Sequence, residues 1–236
     1  MDSAPSSPAL PGALAHRERL YASSWFGALG TPLQDALIDM AVVRRLGSGE
    51  TLFRRGDPSD GLYCVVDGAI RVGATRADGR EPLLAVLEPV NWFGGIGVFD
   101  RQARTHDAHA DGDTLLLHMP QPPLAAPLDR SPESLRAIAL LLTHKLRLTF
   151  TVLEETTLLP AAERVARRLL LMADGYGDLR LGTRRVPQEQ LAQLLALSRQ
   201  TVNQVLKDFE TRGLLRLAYG EIELLDFAGL RALARG

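Results

Sequence analysis

The chain has 236 residues, of which 46% are hydrophobic and 23% charged, a composition typical of a soluble globular protein with one large domain or two smaller ones. No apolar run approaches the roughly 20 residues that a membrane-spanning helix needs, and no basic segment precedes an apolar core near the start, so neither a membrane partner nor a secretory signal is expected. The single cysteine, Cys64, excludes an internal disulfide and a four-cysteine metal or iron–sulfur site. These features predict a cytoplasmic protein.

The net charge of −1 is unevenly distributed along the chain. Residues 159–236 hold 12 of the 27 Lys and Arg but only 9 of the 28 Asp and Glu. This segment is therefore mildly basic while the rest is acidic. The split indicates two parts with different partners and is compatible with DNA as the partner of the basic part.

The start of the chain is predicted to hold a disordered segment and two short helices. Residues 1–15 are rich in Pro, Ser and Ala and are expected to be disordered. Two helices are expected between His16 and Met40, and the second begins with Thr31 as its cap and Pro32 in its first turn.

Short β-type segments follow between Ala41 and Pro120. They read VVRRL, ETLFRR, LYCVV, AIRVGATR, PLLAVL and TLLLHM. Glycines separate them at close intervals, as turns between antiparallel strands require. The spacing predicts an α+β protein in which residues 16–130 form a cupin-like antiparallel β-roll.

A long helix is predicted over residues 131–158. Ser131 supplies a hydroxyl cap, Pro132 lies in the first turn, and no glycine or further proline follows before Leu158. Five residues follow the three- and four-residue steps of a coiled coil: Ile138, Leu141, Lys145, Leu148 and Val152. Because such a helix is too long for a small β domain to cover, we interpret it as a dimerisation helix. A single core helix is the alternative.

Residues 159–236 are predicted to form a winged helix-turn-helix domain. Within it, an amphipathic helix from Pro187 to Leu195 and a three-residue turn precede a helix that Ser198 caps and Gly213 ends. The segment LLRLAYGEIELLD then reads as a β-hairpin, the wing. This motif presents the N-terminal residues of its second helix to the DNA major groove.

Apolar positions define the buried sides of these two helices, and hydrogen-bonding side chains lie on the outward side of the second. The apolar positions are Leu191, Leu194 and Leu195 in the first helix and Val202, Val205, Leu206 and Phe209 in the second. The candidate DNA-binding residues are Ser198, Arg199, Gln200, Thr201, Asn203, Gln204 and Lys207. Arg pairs with guanine and Gln or Asn with adenine, whereas hydroxyls and Lys suit phosphates.

Two segments carry a family resemblance that extends from about Trp25 to the end of the chain. SRQTVNQVLK (198–207) resembles the recognition helix of the Crp/Fnr family of bacterial transcription regulators. GETLFRRGDPSDGLYCVVDGAIRV (49–72) resembles the sensor domain of that family, in which a Gly-Asp turn precedes Y-x-V-x-x-G. The resemblance implies a homodimer on a palindromic operator, with half-sites about one helical turn apart, and RNA polymerase as a further partner.

The resemblance also assigns the base-reading positions. They fall on Arg199, Gln200, Asn203 and Gln204. Only Arg199 is shared with the cyclic-AMP regulator of the family, which implies a different operator sequence.

Residues 93–105 resemble the phosphate cassette of the cyclic-nucleotide-binding members. The candidate effector pocket that the resemblance implies comprises Gly94, Gly95, Ile96, Gly97, Arg104, Thr105, Thr149 and Phe150. Backbone N–H groups and Arg104 would hold an anion. However, Gly95 stands where the family has the Glu that holds the ribose 2′-hydroxyl, and Phe150 replaces a serine. These departures predict a small-molecule or nucleotide effector other than cyclic AMP, and no cofactor is assigned.

Several alternatives stay open. The regulator could act without an effector, respond to a cyclic nucleotide such as cyclic di-GMP, or be a nucleotide-binding module without a DNA function. A catalytic cupin would need histidines on one inner face, but His106 and His109 point to opposite sides of a strand and His118 lies on another segment. Haem binding through a histidine or Cys64 is a further alternative.

Overall fold

The computed structural model describes residues 13–74, 82–173, 188–218 and 221–235. The described part of the chain starts with a 3₁₀ helix and three α-helices, and a β-rich segment with one short helix follows. The bounds of the helices are Ala13–His16 for the 3₁₀ helix, then α1 Arg17–Tyr21, α2 Ser24–Gly27, α3 Thr31–Met40 and α4 Gly95–Asp100. The strands are β1 Val42–Leu46, β2 Thr51–Phe53, β3 Gly61–Asp67, β4 Ile70–Gly73, β5 Leu83–Leu87, β6 Trp92–Phe93, β7 Asp107–Ala110 and β8 Thr114–Pro120.

The second half is helical apart from one hairpin. Its elements are α5 Gln121–Arg130, α6 Pro132–Leu158, α7 Ala161–Ala173, α8 Gln188–Leu195, α9 Arg199–Thr211, β9 Leu215–Ala218, β10 Glu221–Leu224 and α10 Phe227–Leu233. The α+β class, the long helix and the winged helix-turn-helix predicted from the sequence are confirmed. Among the described residues, no helix is both long and apolar enough to cross a membrane.

The strands form a roll of two antiparallel four-stranded sheets. The first sheet has the order β1-β8-β3-β6, and the second has the order β2-β7-β4-β5. Their facing sides enclose a core that includes Tyr63, Ile70, Phe93 and Leu116. The opposite face of the first sheet packs against the N-terminal helices, α5 and α6. Most of the helical cover thus lies on the first sheet, while α8 contacts β5 of the second.

Three predictions for the N-terminal region are corrected. The expected disorder falls on residues 1–12, outside the described residues, and on 13–15, which instead begin the 3₁₀ helix because Ala13 is buried in the core. Three α-helices, rather than two, precede β1. The residue that precedes α3 in extended conformation is Gly30, so Thr31 is the first helical residue and not the cap.

Helix α5 was missed by the sequence reading because its sequence, QPPLAAPLDR, contains three prolines. Pro122 and Pro123 lie in the first turn, where the N–H groups that they lack would have no partner, whereas Pro127 lies inside the helix. Leu124 and Leu128, four residues apart, are buried on the same side and hold α5 against the roll.

Helix α6 confirms the predicted start and end, but it presents a different side to its own roll than expected. The Ser131 hydroxyl accepts the N–H of Ser134 at 3.2 Å. Ile138 and Leu141 are 0% and 6% exposed in the roll core. The prediction that these two residues line a dimer face is therefore wrong, because a partner could not reach them. Half-buried Lys145, Leu148 and Val152 continue the same side.

Candidate functional site

The helix-turn-helix motif is formed by α8 and α9. Ser198 caps α9, since its hydroxyl accepts the N–H of Thr201 at 3.0 Å. Ala196 lies in the turn with a left-handed φ of +50°, a conformation that suits glycine better than alanine. From α7, the buried Arg164 donates to the carbonyl of Leu195, the last residue of α8. The cap, the turn and Arg164 together fix the two helices relative to each other.

The outward side of α9 carries the predicted DNA-binding residues. Val202, Leu206 and Phe209 are buried in the core of this domain, as predicted, and Val205 is partly buried. Ser198, Arg199, Gln200, Gln204 and Lys207 are exposed, whereas Thr201 and Asn203 are half-buried. The sequence therefore located a polar, accessible helix face of the size that a major groove admits.

Arg199 has a carboxylate near it. Its Nε lies 4.0 Å from Oε2 of Glu189 on α8, and both side chains are largely exposed. An exposed pair of this kind contributes little to stability, so the guanidinium is available to a base edge. In the wing formed by β9 and β10, Arg216 pairs with Glu223 at 3.0 Å.

One of the three leucines of α8 does not face the domain core. Leu191 and Leu195 pack into that core, but Leu194, 7% exposed, is buried instead against Leu83 and Val86 of the roll. The sequence pattern had assigned all three leucines to a single side of the helix. The difference arises because α8 is apolar on two sides and contacts two domains.

The candidate effector cassette surrounds the start of α4. Gly94 precedes the helix with a φ of +90°, and a Cβ there would lie 2.8 Å from both Arg104 Nη1 and the carbonyl oxygen of Gly61. A Cβ at Gly97 would lie 2.1 Å from the Ser59 hydroxyl. These two glycines allow α4 to approach the β2–β3 connection closely.

Arg104 lies under this helix and is 7% exposed. It donates through Nη2 to the Asp60 carboxylate and, at 3.0 Å, to the carbonyl of Gly61. Nη1 donates to the carbonyl of Gly94 at 3.2 Å, and the guanidinium lies 4.3 Å above the Phe53 ring. Its Nε has no hydrogen-bond partner among the described residues. The arginine that the sequence offered to an anion is thus already paired with a carboxylate of the protein.

Asp60 is the centre of a polar network. Besides Arg104, it accepts the Tyr63 hydroxyl at 2.6 Å, and the His118 ring stacks on Tyr63 with the ring centres 4.3 Å apart. Burial alone would raise the pKa of the Asp60 carboxyl, but the hydrogen bonds from Tyr63 and Arg104 outweigh burial and hold that pKa below its usual value. Burial, followed by the bond to Asp60, raises the pKa of Tyr63. Asp60 is therefore ionised at neutral pH.

The remaining pocket candidates lie apart from Arg104 or at the surface. A Cβ at Gly95 would lie 3.2 Å from Leu142 of α6, so a larger residue there would press on that helix. Thr149 lies seven residues beyond Leu142, about 10 Å along α6. Its hydroxyl bonds its own helix at Lys145, and Phe150 is 60% exposed. Ile96 and Thr105 are exposed.

Three histidines of the sensor make hydrogen-bond contacts within the roll. His109 contacts the Thr51 hydroxyl at 3.1 Å, His106 contacts Thr105 at 2.9 Å, and His118 Nε2 contacts the Asp60 carbonyl at 3.1 Å. Within the described ranges, no three His, Cys, Asp or Glu side chains form a group that could hold a metal ion.

Sequence reasoning missed Asp60, although the segment GDPSDGLY was singled out. The feature that could have indicated Asp60 is Tyr63, three residues later on β3. A buried tyrosine needs a partner for its hydroxyl, and a carboxylate just before the strand can supply one. The roles of Leu142 and Leu194 carried no such signal, because each lies in an ordinary amphipathic helix.

Comparisons with known proteins agree with both parts of the chain. The model of the cyclic nucleotide-binding domain matches residues 43–131, and that of the Crp-like helix-turn-helix domain matches residues 163–233. The CRP-like cAMP-activated global transcriptional regulator of Mycobacterium tuberculosis is 34% identical over 79% of this chain and 85% of its own length. The cyclic AMP receptor protein of Thermus thermophilus is 33% identical over 88% and 98%.

A solved structure shows the same fold. FixK2 from Bradyrhizobium japonicum superposes with a TM-score of 0.74 at 23% identity, covering 82% of this chain and 96% of that one. The relatives are transcriptional regulators rather than enzymes. With a cyclic nucleotide-binding domain, a Crp-like helix-turn-helix and this degree of identity, the chain belongs to the Crp/Fnr family of DNA-binding transcriptional regulators.

Proposed function

We propose that the protein acts as a cytoplasmic homodimer on a two-fold-symmetric operator. Residues 16–130 form the sensor, 131–158 the dimerisation helix and 159–236 the DNA-binding domain, with RNA polymerase as a partner at the promoter. Arg199, Gln200, Asn203 and Gln204 read bases, whereas Ser198, Thr201 and Lys207 hold phosphates. The exposed polar side of α9 supports this division of roles.

One observation carries the homodimer: α6 has an apolar side that the described residues of its own protomer leave uncovered. Residues at intervals of three, four and seven lie on this side, which we call the α6 stripe: Leu135, Leu142, Leu146, Phe150 and Leu153. Four of them are 43–60% exposed, and Leu142 is half-buried. The stripe replaces the one predicted from the sequence, and a second copy would bury it as a coiled coil does.

Sedimentation velocity of matched glutamate variants tests this assignment. Leu146→Glu places a charge in the stripe, whereas Leu140→Glu changes a residue of similar exposure, 54% against 55%, on another side of α6. We expect Leu146→Glu to sediment as a monomer and to lose operator binding, and Leu140→Glu to remain a dimer. Dimers in both variants, or monomers in both, would contradict the assignment of the α6 stripe as the dimer interface.

We further propose that the effector is not cyclic AMP. Gly95 offers no carboxylate to a ribose, Leu142 lies close to it, and the Arg104 guanidinium is already paired with Asp60. A cyclic phosphate would have to compete with that carboxylate. The sensor therefore favours another small effector, or none.

The alternative is a cyclic-nucleotide-responsive regulator, and it is favoured by the names of the two relatives described above, a cAMP-activated regulator and a cyclic AMP receptor protein. Titration with cyclic AMP, cyclic GMP and cyclic di-GMP distinguishes the two, with operator binding measured at fixed salt. Both tryptophans of the chain lie in the sensor, with ring centres 4.9 Å apart, so their fluorescence reports on ligand binding. Saturable cyclic-AMP binding in the micromolar range that changes operator affinity would refute our proposal.

A further inference from the structure

We propose that the contact between α8 and the β-roll is an intramolecular latch that holds the DNA-binding domain against the sensor of its own protomer and thereby lowers operator affinity. The residues of this contact, which we call the roll–α8 seam, are Arg71, Leu83, Val86 and Asp111 on the roll and Gln190, Gln193 and Leu194 on α8. The inference rests on the DNA-binding function and concerns its regulation.

The apolar part of the seam is buried where the two domains meet. Leu83, Val86 and Leu194 are 6–8% exposed and form a cluster of their own, separate from the cores of the roll and of the DNA-binding domain. If the domains parted, all three side chains would gain contact with water. Their burial therefore favours the docked arrangement.

Two hydrogen bonds flank this cluster, and each joins a charged group of the roll to an amide of α8. Arg71 Nη2 donates to Oε1 of Gln193 at 3.2 Å, and Nε2 of Gln190 donates to Oδ2 of Asp111 at 3.0 Å. The charges have opposite signs, and both lie on the roll. Hydrogen bonds to charged groups are stronger than neutral ones, so these two bonds favour one orientation of α8 on the roll.

Among the described elements, α8 and β5 make the main contact between the two domains, so the loss of this contact would free the DNA-binding domain. Leu159 and Pro160 connect α6 to α7, and the described ion pair from Arg167 to Glu155, at 3.5 Å, spans this connection. A small, partly polar contact between domains commonly permits relative motion.

The latch acts through orientation and not by covering the reading face. Arg199 keeps a side-chain exposure of 73% in the docked arrangement. A dimer must place two recognition helices about one turn of DNA apart. A domain held by its own roll takes its orientation from that roll, so release lets DNA select the spacing.

The seam is also connected to the effector cassette. β7 begins three residues after Arg104, at Asp107, and pairs with β4, where His109 lies opposite Arg71. A rearrangement around Arg104 therefore reaches Arg71 across a single strand pair. This path runs within one protomer and does not require α6.

Truncation of the two roll side chains tests the latch. Arg71→Ala and Asp111→Ala remove charges of opposite sign but open the same seam, and neither changes α8 or α9. We expect both to raise the affinity for a selected operator by about two- to tenfold, the effect of losing one hydrogen bond in the docked state. Arg45→Ala and Asp39→Ala, exposed elsewhere on the sensor, are the charge-matched controls and should leave affinity unchanged.

Opposite changes in the two seam variants would show a long-range charge effect and overturn the proposal. A decrease in both, or no change in either, would overturn it as well. The wild-type chain is measured first on the same operator. Its failure to bind would count against the DNA-binding function itself, whereas normal wild-type binding with unresponsive variants counts against the latch alone.

Closing the seam covalently is the converse experiment. Arg71→Cys with Gln193→Cys, joined by a bis-maleimide, locks the docked arrangement, and the native Cys64 is buried. We expect the cross-linked protein to bind the operator at least about fivefold more weakly than the same double variant capped with a monofunctional maleimide. Equal binding by the two forms would overturn the latch.

Discussion

The guanidinium of Arg104 pairs with the carboxylate of Asp60 inside the sensor roll. Arg104 is 7% exposed whereas the Asp60 side chain is 47% exposed, so a carboxylate at the surface neutralises a buried guanidinium that would be costly to leave unpaired. The pair ties the cassette around α4 to the beginning of β3. Any anion that binds at the cassette must therefore share Arg104 with Asp60 or displace it.

Close packing around Arg104 predicts an effect of a single methyl group. Gly94→Ala adds a Cβ at positive φ and 2.8 Å from both Arg104 Nη1 and the Gly61 carbonyl oxygen. Gly112→Ala is the control, because its φ is also positive, +82°, but no atom lies within 4 Å of the added Cβ. We expect Gly112→Ala to lower the free energy of unfolding by about 1–2 kcal/mol, and Gly94→Ala by about 1–3 kcal/mol more. Urea unfolding measures both, and equal losses would show that Arg104 is not tightly packed.

The Asp60 network also predicts a pH dependence. Burial lowers the pKa of His118 and outweighs its attraction to Asp60, so the folded protein holds this ring neutral while the unfolded chain protonates it below about pH 6.5. The neutral His118 ring therefore contributes fully to the free energy of unfolding above that pH. This contribution is lost as the pH falls toward the pKa of His118 in the folded protein. We expect the stability difference between the wild type and His118→Gln to narrow from pH 7 to pH 5. Urea unfolding followed by tryptophan fluorescence checks this, and a difference that widened on acidification would reverse the assignment.

The helix-turn-helix contains a strained residue that can be relieved. Ala196 has a φ of +50° in the turn, so Ala196→Gly should stabilise the domain by about 0.5–1 kcal/mol after the entropy cost of glycine. Ala232→Gly, in the exposed part of α10, should destabilise it by a similar amount. Hydrogen exchange of the α8 and α9 amides measures the opening free energy. Faster exchange in Ala196→Gly would mean that the turn is not strained.

Arg199 is the residue on which base reading depends most. Arg199→Ala should weaken specific operator binding by about 1–3 kcal/mol and leave the dimer intact, because the side chain is exposed and its ion pair with Glu189 is long, at 4.0 Å. Arg231→Ala, exposed on α10, serves as the control. Fluorescence anisotropy at fixed salt gives both affinities, and unchanged binding of Arg199→Ala would falsify its role.

The sequence was sufficient where a local rule determines the structure. Ser131 and Ser198 cap the helices that they were predicted to cap, since an N-terminal hydroxyl acts on its own turn. The buried side of α9 was likewise predicted from the helical spacing of its apolar residues, which depends only on nearby sequence.

Contacts between distant elements could not be read in the same way. Helix α6 has two apolar sides, and periodicity alone could not show that Ile138 faces the roll while Leu146 faces outward. Leu194 and Asp60 depend on partners far away in the sequence, Val86 and Arg104. Which of two apolar sides is covered, and by what, is a property of the folded chain.

The central claim is that two copies of the chain bind one operator and read its sequence. The stoichiometry of the DNA complex tests this claim most directly. An operator selected from random duplexes is mixed with the protein, and the mass of the complex is measured by sedimentation. We predict two chains for each duplex, a two-fold-symmetric selected sequence with half-site centres about one helical turn apart, and loss of the complex with Leu146→Glu. One chain for each duplex, or binding without sequence preference at physiological salt, would contradict the account.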